Sequence, residues 1–208
     1  MLTRPVVPEK KGGVWRLHKR LRITFNAPVV LSFVFLCFGA TLLGQVTGGV
    51  SDPVLFMVYR ASLRSPLTYI RFFTHVLGHV DWSHFIGNVS YLLLLGPMLE
   101  EKYGSAKIVE VIMSAAFVTG IVNFVFFPMV ALCGASGVVF AFILLTSFAG
   151  FRSGEIPLTF ILVAVVFIGQ QVYDGITLQD NISNLSHILG GVVGAVLGFR
   201  LNMRAESF

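Results

Sequence analysis

An all-α membrane protein, a bundle of six membrane-crossing helices with both termini cytoplasmic, is the fold class that three observations predict for this chain of 208 residues. The composition is 55% hydrophobic and 12% charged, too few polar side chains to cover a water-soluble surface of this size. Six apolar segments approach the roughly 20 residues that a bilayer core of about 30 Å requires. The 15 basic residues fall unevenly on the loops that those segments define.

The first segment runs from about Ala27 to Val46 and is ended by Gly48-Gly49 and Asp52-Pro53. It is long enough to span, so it reads as a retained helix and not as a cleaved leader. A long connection, Val50 to Val80, interleaves apolar and aromatic residues with Arg60, Arg64 and Arg71, which suits a loop lying partly in the interface. Trp82 to Leu99 is the second helix, with Asp81 or Ser83 as its N-cap. After a polar turn, Glu100 to Gly104, the third helix covers about Ile108 to Phe127 and is stopped by Pro128. The fourth, Ser136 to Phe148, is short. Ile156 to Gln170 with a polar extension makes the fifth, and Ile182 to Leu201 the sixth.

With the N-terminus inside, 12 of the 15 basic residues lie on the cytoplasmic side, and Arg60, Arg64 and Arg71 alone lie outside. Residues 1–25 then form a basic cytoplasmic segment, 26–203 the membrane domain and 204–208 a short cytoplasmic tail. The basic segment suits anionic lipid and is not a nucleic-acid signal. Cys37 and Cys133 sit in or beside apolar runs, which argues against a disulfide framework. No internal repeat suggests a transporter built from two halves.

Polar residues within membrane helices are costly and mark a functional interior. Helices two, four and six all descend from the outer face, so His84, Asn88, Ser136 and His187 reach one layer in the outer half of the membrane. His84 and Asn88 are four residues apart and share a helix face. His187 is followed by Gly190, Gly194 and Gly198, a stripe that lets a neighbouring helix approach closely. Ser136, Gly137 and Ala141 supply matching small residues on the fourth helix. That helix, thirteen or so residues and about 20 Å long, must begin below the outer surface. The loop before it, Phe127 to Ala135, then dips into the membrane, where protein or water must satisfy its backbone.

Two readings of this cluster stand side by side. It glues three helices together, or it is a serine nucleophile with a histidine base, with His84, Asn88 and the Ser136 amide as donors to an oxyanion. Neither Asp174 nor Asp180 is placed to orient the histidine, so the catalytic reading is a dyad and not a triad. His75, His79 and His84 suggest a metal only weakly, because no glutamate lies between the first two. Glu100 reads as a hydrogen-bonded anchor at the inner turn, and Tyr91, Asn123 and Gln170-Gln171 as interhelical or interfacial contacts. Cys133 reads as a small packed residue.

Four motifs together resemble the rhomboid intramembrane serine proteases. They are Gly134-Ala135-Ser136-Gly137, His84-x-x-x-Asn88, His187-x-x-Gly190-x-x-x-Gly194 and Gly96-x-x-x-Glu100-x-x-x-Gly104, in order along about Arg71 to Gly198. The resemblance implies a six-helix rhomboid bundle with Ser136 as nucleophile, His187 as general base and His84 and Asn88 as oxyanion donors. Gly134, Gly137, Phe140 and Gly190 support them. It implies cleavage of single-pass or other transmembrane protein substrates within the lipid bilayer, without metal or cofactor. The setting implied is a multi-pass protein of a plasma membrane or prokaryotic inner membrane. Its alternative is a catalytically silent rhomboid-like protein that binds transmembrane clients. Three positions depart from the common pattern: Ile70 precedes Arg71 where tryptophan is frequent, Phe140 replaces a frequent tyrosine, and Ser186 replaces a frequent alanine. His75 and His79, on the family pattern, fix the first loop against the second helix.

Overall fold

The structure, a computed structural model, describes residues 9–11, 14–16, 24–148, 156, 158–177 and 181–205. Asp180 and Arg152 lie outside them, as do the side chains of Gln170, Gln171 and Asp174. Each of the six apolar segments carries one helix, long in all but the fourth: α1 Pro28–Val46, α3 Trp82–Tyr103, α4 Ser105–Phe126, α5 Ser136–Ser147, α6 Leu158–Thr177 and α7 Asn181–Ala205. A further helix, α2 Pro66–Thr74, lies in the connection between α1 and α3. Three described stretches are long and apolar enough to cross a membrane, Pro28–Val46, Ser105–Phe126 and Asn184–Asn202. The basic N-terminal segment departs from the all-α expectation by a small antiparallel ribbon, β1 Glu9–Lys11 with β2 Val14–Arg16.

The helix starts follow their sequences. Pro28 opens α1, where a missing amide proton costs nothing, but no side chain at Ala27 caps it. The cap comes from α3: the Glu100 carboxylate accepts from the Val29 and Val30 amides, both at 3.0 Å, and from the Ser105 hydroxyl at 2.6 Å. Negative charge at a helix N-terminus is favourable, and here it also joins α1, α3 and α4 at one end. For this reason α3 continues through Tyr103 and does not stop at Leu99, ending at Gly104 with φ of 82°. Glu100→Ala leaves two amides and a hydroxyl without their shared acceptor. The expected loss is about 3 kcal/mol of stability, read as a lowered midpoint of thermal unfolding in detergent.

The long connection is folded. A π-helical turn, Asp52–Phe56, precedes α2. Arg71 is buried, its Nε donates to the Val54 carbonyl at 2.9 Å, and its guanidinium lies 4.6 Å from the centre of the Tyr59 ring. Tyr59 thus provides an aromatic face for Arg71 beside Ile70. Thr74 donates to the Leu55 carbonyl. The facing sides of α2 and α4 meet through aromatic pairs, Phe72 with Phe124 and Phe73 with Phe117.

At the centre is α5. Val138, Ala141, Phe142 and Leu145 are 0 to 1% exposed, so this helix touches protein on nearly every side. Its closest partner is α7, packed along the glycine stripe. A Cβ on Gly190 would collide with the Gly137 carbonyl and lie 2.8 Å from the Gly137 Cα, and one on Gly194 would meet the backbone of Ala141 in the same way. The loop before α5 has its backbone groups met from the connection. Val58 and Leu132 exchange two amide hydrogen bonds of 2.9 Å, and Asn123 Nδ2 donates to the carbonyls of Val58 and Val130. Non-helical backbone within an apolar bundle requires such partners.

Candidate active site

The first turn of α3 is fixed by Asp81, whose carboxylate accepts from the His84 amide at 2.7 Å, so the N-cap is Asp81 and not Ser83. From that turn His84, half-buried, and Asn88, 7% exposed, point toward the loop before α5. Gly134 makes room for them. Its φ of 129° favours glycine, and a Cβ there would lie 2.9 Å from His84 Nε2 and 3.9 Å from Asn88 Nδ2. The Asn88 Nδ2 is buried and has no hydrogen-bond acceptor.

Ser136 is the first residue of α5, and the residue before it, Ala135, offers no capping side chain. The first amides of that helix lack intrahelical acceptors and carry the positive end of its dipole. His187 reaches the same place from α7. Its ring stacks on Phe140, centroids 4.4 Å apart and planes 4° from parallel. Phenylalanine supplies that flat surface without a hydroxyl. His84, Asn88, Ser136 and His187 all line one open cleft of about 320 Å³. Of the four supporting residues, Phe140 lines the cleft, Gly134 admits the α3 side chains, and Gly137 and Gly190 form the close contact between α5 and α7.

Apart from Tyr91, read above as an interhelical or interfacial contact, the other residues of the cleft carry no chemistry that a sequence would flag. Gly87 stands beside Asn88, and a Cβ on it would meet nothing within 4 Å, so the wall is open there. Val139 and Ile143, at three and seven residues from Ser136, form the α5 wall, and Tyr91 the α3 wall next to Gly87. Helical spacing from Ser136 and Asn88 points to them, but nothing in their side chains distinguishes them from packing residues.

His75 and His79 have different partners. The His75 ring bonds the Arg71 carbonyl at 3.0 Å and the Thr119 hydroxyl of α4 at 3.2 Å, and its own carbonyl accepts from the Gly134 amide at 2.9 Å. It therefore ties the connection to α4 and to the loop before Ser136, not to α3 as the family pattern suggests. His79 does pack on α3, edge to face with His84 and Phe85, with ring centroids 5.0 and 5.5 Å apart. Burial pushes both imidazoles down to about 4, with the neighbouring His84 adding to the effect at His79. Both are neutral near pH 7 and act as fixed hydrogen-bonding plates. Cys133 is half-buried with a free thiol, which burial and then Asp52 push up to about 11, so it stays protonated. Cys37 is likewise free.

Compared with known proteins, the chain matches the profile described as Rhomboid domain over residues 66–204. It is 29% identical over 161 residues to the Rhomboid protease GlpG of Haemophilus influenzae, a match covering 76% of this chain and 82% of that protein. It is 28% identical over 158 residues to Rhomboid-related protein 2 of Mus musculus, covering 66% of this chain and 52% of that protein. The chain thus spans about half the length of the mouse relative. The matched profile begins at the first residue of α2 and ends within the last turn of α7, so the cleft lies wholly inside it.

Proposed function

Because the chain belongs to the rhomboid family and is an integral membrane protein, we propose that it is an intramembrane serine endopeptidase that cleaves transmembrane substrates with a Ser136–His187 dyad. The observation that carries this reading is the cleft, where a serine, an imidazole and an unpaired buried amide donor meet on three separate helices. A group of residues that only glued helices together would have satisfied the Asn88 Nδ2. In the proposed reaction His187 takes the Ser136 hydroxyl proton as the oxygen attacks the scissile carbonyl. The oxyanion is held by His84, Asn88 and the free amides at the start of α5. His187 then gives its proton to the departing amine, and water releases the acyl group by the reverse path. The steps call only on groups of the chain and on water.

The same reading gives six spans with both termini cytoplasmic, the basic residues 1–25 at the inner surface, 26–203 in the membrane and 204–208 as the tail, with water reaching the cleft from the outer side of a plasma or prokaryotic inner membrane. Substrate enters as an unwound segment, since an intact helix hides its peptide bonds.

A fluorophosphonate probe tests it. Ser136 in the full chain is labelled in detergent, and His187→Ala removes the labelling; an unlabelled parent chain means a silent relative that binds transmembrane clients. Asn88→Ala is expected to lower kcat for a transmembrane reporter by roughly a hundredfold, as loss of one preorganised oxyanion donor does, with KM little changed.

A further inference from the structure

The ring of His84 has a definite direction. A Cβ on Gly134 would lie 2.7 Å from His84 Cε1 and 2.9 Å from its Nε2, so this edge faces the loop that leads into Ser136. The Asp81 carboxylate bonds the His84 amide, which fixes the backbone. Among the described residues no hydrogen bond holds the ring itself, and its one aromatic neighbour is His79, with centroids 5.0 Å apart and planes crossing at 70°.

His79, by contrast, is held from several directions. It is 4% exposed, and its Nδ1 lies 3.1 Å from the Leu77 carbonyl. A carbonyl can only accept, so Nδ1 carries the proton of the neutral ring. The Thr41 hydroxyl of α1, which donates to the Cys37 carbonyl at 2.9 Å, stands 3.5 Å from the same nitrogen. Phe85 meets the ring edge to face at 5.5 Å. The chain beside it is tied as well, since a Cβ on Gly78 would lie 2.6 Å from the Phe56 carbonyl oxygen. The remaining nitrogen, Nε2, is buried without a partner. An unpaired buried polar atom is costly and calls for an explanation. Phenylalanine would fill the same space without that cost. What the imidazole adds is the bond to Leu77, which sets the plane of the ring.

We propose that His79 is a positioning residue, a fixed plate against which the His84 ring rests with its Nε2 edge toward the scissile carbonyl. The inference rests on the catalytic reading above. A donor stabilises developing charge best when it is already aimed and has no turn to make. Released from the plate, the His84 side chain gains other staggered rotamers. The edge that carries the donor then spends less time facing the loop. The helix α3 supplies this donor, and the connection before it supplies the aim.

The experiment is a double-mutant cycle in the full-length chain. His79→Ala and His79→Phe are made in the parent and in His84→Ala, and a transmembrane reporter gives kcat and KM. His79→Phe keeps a ring and loses the Leu77 bond, so the comparison stands if His79→Ala does not fold. In the parent background both variants are expected to lower kcat about tenfold, the value of one uncharged hydrogen bond, with KM within about twofold. His84→Ala alone lowers kcat roughly a hundredfold, and in that background neither change at His79 alters kcat by more than about twofold, because no ring is left to aim. Equal fold losses in the two backgrounds overturn the proposal, since His79 would then support the bundle and not His84. Unchanged kcat in both single variants overturns it alone. A parent chain that a fluorophosphonate does not label at Ser136 overturns the catalytic reading and this inference with it.

Discussion

In Ser136→Ala and in His187→Ala, cleavage of a transmembrane reporter falls by roughly 10⁴-fold or more, and the double variant is no worse than either single one. The non-additivity is the informative part, because a nucleophile and its base act as one unit and removing either leaves the other without a role. Folding should survive both changes. Ser136 is half-buried at the first position of α5 and its side chain caps nothing, so alanine leaves only a small gap. His187→Ala removes the ring stacked on Phe140, a loss of about 1 kcal/mol beyond area. Reporter cleavage in liposomes, read beside thermal unfolding of each variant, checks both halves. Cleavage that persists in both single variants would leave the cleft without its proposed chemistry.

The second large effect is on packing. Gly190→Val places a Cβ against the Gly137 backbone, 2.7 Å from its carbonyl carbon, and backbone cannot rotate out of the way as a side chain can. The two helices must separate, and because they share one contact line from Gly190 to Gly198, the separation is felt along the whole line. A loss of 3 kcal/mol or more is in the range for overpacking of this kind, about the upper end for one substitution. Activity falls with it, since moving α7 outward withdraws His187 from the cleft. Gly39 is the internal control: a Cβ there meets nothing within 4 Å, so Gly39→Ala should be neutral or stabilising by about 0.5 kcal/mol. Equal unfolding midpoints for the two variants would contradict the role given to the stripe.

What could be read from the residues in order divides along physical lines. The long helices were legible because apolar runs are local and need a fixed length. The folding of the connection was not, since α2 is nine residues long and interleaves Arg71 with aromatics, and its stability comes from Tyr59, Val54 and the face of α4. The end of α3 was misplaced because Glu100 looks like a turn residue until α1 is packed beside it, 70 positions earlier in the chain. His84, Asn88, Ser136 and His187 stood out because a polar group in an apolar helix is expensive wherever it falls. Asn123 was recognised as a polar contact, but its acceptors at Val58 and Val130 are set by tertiary structure alone.

The enclosure of α5 has a consequence for how this protein meets different membranes. A helix of 12 residues, about 18 Å long, would be badly mismatched to any bilayer if it faced lipid. Its neighbours face lipid in its place, so bilayer thickness acts on α1, α3, α4 and α7, which can tilt, and not on the segment that carries Ser136. The depth of Ser136 is thus referenced to the protein, while the depth of a substrate's peptide bonds is referenced to the lipid. On the proposed function, a thicker or thinner bilayer therefore shifts which bond of a given substrate arrives at the cleft, and leaves the cleft itself as it was.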